Sequence, residues 1–220
     1  MDAPRRRVYA WHMVRPRQIA MPTSPPPDVD QRVIFHDVPW EQYRALDAAR
    51  GEKALPRLTY LDGTLEIMSP STKHEEWKKL IARLVEAHCD EARIPLVGLG
   101  STTFRKKAKR GGLEPDECYC IGEAKSVPDI AIEVVHTGGG LDKLAVYRKL
   151  GVPEVWFWSK GRFHLFALSD GEYQSCDASG FVPDLDFATL GAIVAGTEPG
   201  AQPQAVWEYR AGLRRRRGPG

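Results

Sequence analysis

The stretch Val127-Pro-Asp-Ile-Ala-Ile-Glu-Val-Val135 decides the fold, because it is apolar at nearly every position. A strand of this length that is apolar on both faces is typical of the centre of a sheet that is covered on both sides. Three glycines, Gly138-Gly139-Gly140, end the strand, and a helix is predicted from Leu141 to Leu150 with Gly151 as its C-terminal cap. The strand and the helix together predict an α/β fold.

The segments around this central strand predict further strands and helices. Asp37 as cap and Pro39 near the first position predict a helix that runs to about Arg50. Two alternating segments joined by Asp62-Gly63 predict a β-hairpin, and an apolar stripe predicts a helix from about residue 71 to 93. Further strands are predicted at residues 102–105, 116–121, 154–158, 163–168 and 172–176. We therefore expect a central mixed β-sheet flanked by α-helices.

Length and composition predict one globular domain with unstructured ends. The 220 residues, 42% hydrophobic and 27% charged, suffice for one core, and no apolar run approaches the roughly 20 residues that cross a bilayer. We predict a disordered Pro/Arg-rich segment over residues 1–30, a folded α/β domain over 31–195 and a flexible basic tail over 196–220. Translation can start at Met1, Met13 or Met21. We expect a cytoplasmic protein with no membrane partner.

Charge and cysteines exclude some classes of function. The net charge of +2 conceals a core, residues 31–209, with 21 basic and 26 acidic residues and a net charge of −5. Charge alone therefore does not predict nucleic-acid binding. The four cysteines lack the spacing of a zinc site and are too few for a disulfide scaffold, so we expect buried, reduced thiols.

Carboxylates in and next to the central strand are candidates for catalytic or metal-binding residues. Side chains alternate along a strand, so Asp129 and Glu133 share a face, and buried carboxylates require a positive partner. Asp116 opens the preceding strand, seventeen residues before Glu133. In an antiparallel hairpin of the two strands, Asp116 and Glu133 approach within the span of one hard cation, which suits Mg²⁺ or Mn²⁺.

Lys143 lies ten residues after Glu133, in the first turn of the following helix. A short glycine-rich turn brings the start of that helix close to the end of the strand, where a lysine can orient a metal-bound water and stabilise charge on a phosphate. The alternative is that Asp142 and Lys143 are solvated first-turn residues and that Asp129 is a charge at the strand edge. Spacing alone leaves both interpretations open.

Several motifs in order resemble the Uma-two family of restriction-endonuclease-like proteins. The resemblance covers about residues 55–190 and rests on Leu61-Asp-Gly-Thr-Leu-Glu-Ile-Met-Ser-Pro70, His74, Glu114–Ile121, Pro128–Val134 and Asp142–Trp156. It implies that residues 31–195 form a restriction-endonuclease-like domain, with a PD-(D/E)XK nuclease fold and two carboxylates that bind a metal.

The resemblance also implies roles for single residues. Asp116 and Glu133 match the two acids of the family, Lys143 matches its basic residue, and Glu75 matches an acid on the early helix near the metal. In the wider superfamily the lysine lies two residues after the glutamate, where this chain has Val135. The resemblance implies that the lysine has moved to the helix at position 143.

Other residues have two interpretations. A basic stretch that comprises Arg105, Lys106, Lys107, Lys109 and Arg110 precedes the Asp116 strand and either tracks a phosphate backbone or is a flexible charged loop. His74 is a proton-transfer residue or a structural histidine at a helix start. Asp129 and His74 are candidates to support the site, and His136 is a weaker one. Core packing is the default for Trp77, Trp156 and Trp158, and His164 is expected to be a structural residue of its strand.

Two functions from different classes follow. The first is a Mg²⁺- or Mn²⁺-dependent endonuclease that hydrolyses phosphodiester bonds of nucleic acid, with DNA as the expected substrate. The second is a catalytically inactive module that retains the nuclease fold and binds nucleic acid or protein. A homodimer is expected by analogy with nucleases that cut two strands.

Overall fold

The computed structural model describes residues 28–51, 53, 55–106, 111–138 and 140–217, with only the backbone of Lys106 and Arg217. In chain order the elements are β1 (Gln31–Phe35), α1 (Trp40–Arg50), β2 (Arg57–Leu61), β3 (Thr64–Ser69), α2 (Thr72–Ala92), β4 (Leu96–Gly98), β5 (Phe104–Lys106), β6 (Gly111–Leu113), β7 (Glu117–Ile121), β8 (Ile130–Val135), α3 (Lys143–Leu150), β9 (Glu154–Ser159), β10 (Arg162–Ser169), β11 (Glu172–Cys176), α4 (Phe187–Gly196) and α5 (Gln202–Arg217). Across this part of the chain, no helix combines the length and the apolar character that a bilayer crossing requires.

A six-stranded mixed sheet forms the centre of the fold, in the order β11-β10-β9-β8-β7-β4. The pair β8–β9 is parallel and is connected through α3, and the other pairs are antiparallel. The predicted antiparallel hairpin of β7 and β8 is confirmed, and β8 is an inner strand whose residues from Ile130 to Val134 are all buried. The mixed α/β class predicted from the sequence is therefore confirmed.

A second, five-stranded antiparallel sheet has the order β1-β3-β2-β6-β5. The predicted hairpin is β2–β3, and its turn residues Asp62 and Gly63 have φ angles of 45° and 95°, as a tight two-residue turn requires. The first residue of β2 is Arg57, whose side chain points out of this sheet into the site described below. The guanidinium of Arg57 thus brings a positive charge from the second sheet to the site on the central sheet.

The two faces of the central sheet pack against different helices. Ile132, Val134 and Trp156 face the main core, which includes Leu80 and Leu84 of α2. Ala131 and Val155 lie on the opposite face, against Val146 and Tyr147 of α3. Trp156 and Trp158 are fully buried, which confirms the prediction of core packing for both. Three of the four cysteines are buried, and all four are free thiols, as expected.

The predicted flexible tail is wrong for residues 202–217, which form α5. Val206, Tyr209 and Leu213 of this helix are buried in the main core. Their spacing of three and four residues places them on one face, which explains why the helix packs. Glycines, prolines and the terminal arginines obscured this short apolar stripe in the sequence.

The predicted disordered N-terminal segment also requires a correction at its end. Residues 1–27 lie outside the described residues, so that part of the prediction stays a prediction. Asp30, however, is only 8% exposed, and its carboxylate accepts a hydrogen bond from the Ser71 backbone N–H at 2.9 Å. The buried carboxylate belongs to the folded domain, because it satisfies a donor at the start of α2.

Candidate active site

The two predicted acids belong to the β7–β8 hairpin. Its register pairs Glu117 with Ile132, and the same register continued by one residue places Asp116 opposite Glu133. The two residues are 1% and 0% exposed. Carboxylates buried to this degree are stable as anions only when donors surround them.

Helix α3 supplies two donors to Glu133. The Lys143 ammonium lies 2.5 Å from Oε2, and the Tyr147 hydroxyl donates to Oε1. Lys143 and Tyr147 lie four residues apart and therefore share one face of the helix. Asp142 fixes the start of α3, because its side chain accepts a hydrogen bond from the Ala145 N–H at 3.2 Å. The predicted approach of Lys143 to Glu133 is thus present in the structure.

Tyr147 acts as a neutral donor to Glu133. Burial, followed by the negative charge of Glu133 and the hydrogen bond to it, raises the pKa of Tyr147 well above its ordinary value. The phenol therefore keeps its proton across the physiological range. Nothing in the local sequence singled out Tyr147, although its position one turn after Lys143 was a usable signal.

Asp116 is held by donors from three separate elements. Its Oδ2 accepts a hydrogen bond from the Val134 backbone N–H at 2.6 Å. Its Oδ1 lies 2.9 Å from His74 Nε2 and forms an ion pair with Arg57. The Asp116 carboxylate is therefore bound to the residue that directly follows Glu133 in β8.

His74 connects Asp116 to the N-terminal residue Asp30. The ring is fully buried, and its Nδ1 lies 3.3 Å from Asp30 Oδ2. Burial raises the pKa of Asp30, but hydrogen bonds from His74 and from the Ser71 backbone outweigh this effect and leave the pKa below its ordinary value. Each ring nitrogen of His74 thus contacts one buried carboxylate.

Glu75 lies on the solvent side of the same group. Its side chain is 40% exposed, and its carboxylate pairs with Arg57 at 2.8 Å and with Lys78 at 2.5 Å. Arg57 therefore bridges Glu75 and Asp116. Glu75, His74 and Asp116 are thus linked through Arg57 and the His74 ring, whereas Glu133 contacts Lys143 and Tyr147. The catalytic and metal-binding roles of these residues stay predictions.

Asp129, predicted as a supporting residue, does not join this network. It precedes Glu133 by four residues, which is roughly 13 Å along a strand. Its carboxylate instead accepts hydrogen bonds from the Ile121 N–H at 2.8 Å and from the Lys125 ammonium at 2.6 Å. Asp129 therefore holds the turn between β7 and β8, and its predicted role is wrong.

The basic stretch lies only partly within the described residues. Lys107, Lys109 and Arg110 lie outside them, and of Lys106 only the backbone is described. Arg105 is in β5, and its Nε pairs with Asp47 at 2.8 Å. The guanidinium of Arg105 is thus engaged within the protein, which weakens its predicted part in holding a phosphate backbone.

The sequence did not predict Arg57 and Asp30 as members of the site. Arg57 comes from the second sheet and Asp30 from a segment that was assigned to disorder. Both contact the site only because distant parts of the chain pack together. His136, a weaker candidate, contacts the Asp28 carbonyl at 2.8 Å and packs edge-on against Trp77.

A mixed sheet that carries a buried acid pair on an antiparallel hairpin, with a lysine from the next helix, defines a restriction-endonuclease-like α/β protein. The fold resembles the crystal structure of a "putative nuclease belonging to DUF820" from Anabaena variabilis, with a TM-score of 0.53, 14% identity, and coverage of 71% of this chain and 99% of that chain. Residues 40–196 match the Uma2 family, described as "Putative restriction endonuclease".

The chain therefore belongs to the Uma2 family, because the match spans more than half of its length. Membership places it among nuclease-type proteins, the enzyme class that hydrolyses nucleic acid. The structural likeness shows the fold alone, since the identity is low. A comparison with curated proteins gave no match.

Proposed function

We propose that the protein is a Mg²⁺- or Mn²⁺-dependent endonuclease that hydrolyses phosphodiester bonds of DNA. The observation that carries this proposal is the 2.5 Å contact between the Lys143 ammonium and Glu133 Oε2. Helix α3 thus places a lysine beside Glu133, although the strand residue two positions after Glu133 is Val135. Acid pair and lysine together are the groups that phosphodiester hydrolysis at a metal requires.

The donor set fits a hard divalent cation. Mg²⁺ binds through one or two carboxylates and keeps several waters, so Asp116 and Glu133 suffice as protein ligands. Within the described residues no group of three or more His, Cys, Asp or Glu side chains is arranged to hold a metal. When bound, the cation supplies Lewis-acid polarisation of the phosphate and a water of lowered pKa.

Each neighbouring side chain has a role that follows from its contacts. Lys143 offsets charge on the phosphate and orients the attacking water, because its ammonium lies beside Glu133 at the start of α3. Tyr147 fixes the orientation of the Glu133 carboxylate from the buried side. His74 and Arg57 hold Asp116 in place, and Glu75 extends the acidic group towards solvent.

One observation favours the inactive module instead. All four oxygens of Asp116 and Glu133 already accept from donors of the chain: Arg57, His74, the Val134 N–H, Lys143 and Tyr147. A cation must compete with these donors for its ligands. Calorimetry with Mn²⁺ separates the two functions, because an inactive module shows no binding that depends on the two carboxylates.

Removal of the metal tests the endonuclease directly. Supercoiled plasmid DNA incubated with the protein and Mg²⁺ or Mn²⁺ is expected to be nicked or linearised, and excess chelator is expected to stop the reaction. The measurement is the conversion of plasmid forms on a gel, with an equivalent RNA substrate in parallel. Cleavage that continues unchanged in chelator contradicts metal dependence, and cleavage of RNA alone contradicts the DNA assignment.

The basic stretch predicts a salt-dependent contribution to DNA binding. Replacement of Lys107, Lys109 and Arg110 by Ala is expected to reduce the slope of log K against log salt concentration by about 0.9 for each phosphate that the variant no longer neutralises. Fluorescence anisotropy with a labelled duplex at several salt concentrations measures this slope. Arg214→Ala serves as the control, because Arg214 pairs with Glu91 on the helical side of the domain. An unchanged slope in the triple variant contradicts a role of these residues in DNA binding.

The homodimer and the cytoplasmic location stay predictions. Sedimentation of the purified protein with and without DNA tests the first. A dimer would present two copies of the acid pair, as cleavage of both strands requires.

A further inference from the structure

A cavity of about 380 Å³ opens directly beside Lys143. One side is formed by the start of α3 and the preceding loop, including Leu141 and Lys143. The other side is a part of the central sheet, with Phe157 and Ser159 of β9 and His164 and Phe166 of β10. The volume falls in the range of roughly 300–1,000 Å³ that is typical of small-molecule sites.

The floor of this cavity is the uncovered part of the sheet face that carries Glu133. The register places Glu133 beside Phe157 and pairs Phe157 with His164. Residues paired in this way have their side chains on the same face of the sheet, so all three lie on one face. Helix α3 covers Ala131 and Val155 farther along that face. Phe157 and Phe166 meet edge to face, with ring centroids 5.8 Å apart and an interplanar angle of 84°.

The rim is held in place by a buried ion pair. Glu66 is 1% exposed, and its Oε2 pairs with Arg32 Nε at 3.3 Å and accepts a hydrogen bond from the Leu141 N–H at 2.9 Å. Gly140 has a φ of +128°, and a Cβ there would lie 2.6 Å from Glu66 Oε2, so only glycine fits. Gly140 and Leu141 are therefore held against the Glu66 carboxylate at the edge of the cavity.

His164 presents a defined hydrogen-bonding group at this cavity. An arginine N–H can only donate, and Arg162 Nε donates to His164 Nε2 at 3.3 Å. Nε2 is therefore the nitrogen of the ring that accepts this hydrogen bond. His164 and Ser159 thus give the cavity two side chains that can form hydrogen bonds with a ligand.

We infer that this cavity binds one nucleoside of the substrate strand, the one next to the phosphate at Lys143. The inference rests on the proposed function and deepens it by adding a subsite for a base. Aromatic rings of the floor suit the face of a base, and His164 and Ser159 suit its polar edge. Lys143 lines the cavity and contacts Glu133, so the nucleoside and the reacting phosphate occupy one continuous space. A base enters by leaving its stack.

Binding of oligonucleotides without metal tests the subsite apart from cleavage. The probes are a labelled DNA oligonucleotide and a matched set with one abasic position at a time, in single-stranded and duplex form, with chelator present. For the wild-type protein one abasic position is expected to weaken binding about tenfold, the size of a single base contact. His164→Ala and Phe166→Leu are expected to reduce that difference to less than about threefold.

His36→Ala is the matched control, because His36 is exposed and lies outside the cavity. It is expected to retain the full difference between intact and abasic probes. Equal binding of intact and abasic probes by the wild-type protein overturns the inference, as does an undiminished difference in both cavity variants.

The cleavage assay keeps the two claims separate. With a randomised DNA pool, the wild-type protein is expected to prefer certain bases at one position beside the cut, and His164→Ala is expected to lose the preference while it still cuts. Cleavage by the wild type without any such preference overturns the subsite and leaves the endonuclease intact. Absence of cleavage together with a tenfold abasic effect overturns the endonuclease and supports the subsite.

Discussion

Glu133→Gln is expected to lower the rate of plasmid cleavage by at least about 10³-fold. The change removes the negative charge that a divalent cation needs, and such a cation contributes several kcal/mol of transition-state stabilisation, with each 1.36 kcal/mol equal to a factor of ten. It also leaves the Lys143 ammonium, 13% exposed, without its counter-ion. The measurement is the initial rate of nicking at saturating Mg²⁺.

Two further variants show whether this loss is chemical. Asp129→Asn is the matched control, because Asp129 is a buried acid at the start of the same strand but binds Ile121 and Lys125 instead of the site. Its cleavage rate is expected to stay near that of the wild type. In Glu133→Gln/Lys143→Met the buried charge without a partner is removed, so stability is expected to recover while cleavage does not. Full activity of Glu133→Gln rules out the assignment.

Arg57→Met is expected to lower the free energy of unfolding by about 3–5 kcal/mol, because it leaves a buried carboxylate without its cation. The Arg57 side chain is 5% exposed and that of its partner Asp116 is fully buried. The second partner, Glu75, is 40% exposed and contributes little to the change. Urea unfolding, with a shifted midpoint and an unchanged slope, measures the effect.

Arg148→Met provides the control for this experiment. Arg148 pairs with Glu172 on the surface, where the side chains are 42% and 70% exposed, and the expected loss is less than about 1 kcal/mol. Cleavage by Arg57→Met is also expected to fall, since Asp116 loses a group that positions it. Equal stability of the Arg57→Met and Arg148→Met proteins contradicts the proposed dependence of Asp116 on Arg57.

Local patterns in the sequence were sufficient to predict most of the strands and helices around the site. The apolar run at 127–135 correctly predicted an inner strand, and the Asp62-Gly63 pair correctly predicted the hairpin. Asp37 was predicted to cap α1, but its φ is +56° and α1 begins at Trp40 without a side-chain cap. Short strands such as β4 and β6 have three residues each and little periodicity, so they emerge only from pairing.

The residues of the candidate site also differ in how far the sequence could predict them. Glu133 and Lys143 lie ten residues apart, so one strand and one helix connection were enough to predict that they approach each other. Arg57 and Asp30 reach the site through contacts between distant segments, and no local pattern encodes such contacts. Glu75 was predicted from the resemblance, and the structure shows its connection to Asp116 through Arg57.

The hydrogen bond from the Val134 N–H to Asp116 Oδ2 gives the protein a built-in reporter. An amide proton bonded to a carboxylate at 2.6 Å is sensitive to whatever else that carboxylate binds. The amide resonance of Val134 therefore records the occupancy of Asp116 without a label or a substrate. Titration of a cation into ¹⁵N-labelled protein would make one backbone signal a direct measure of site loading.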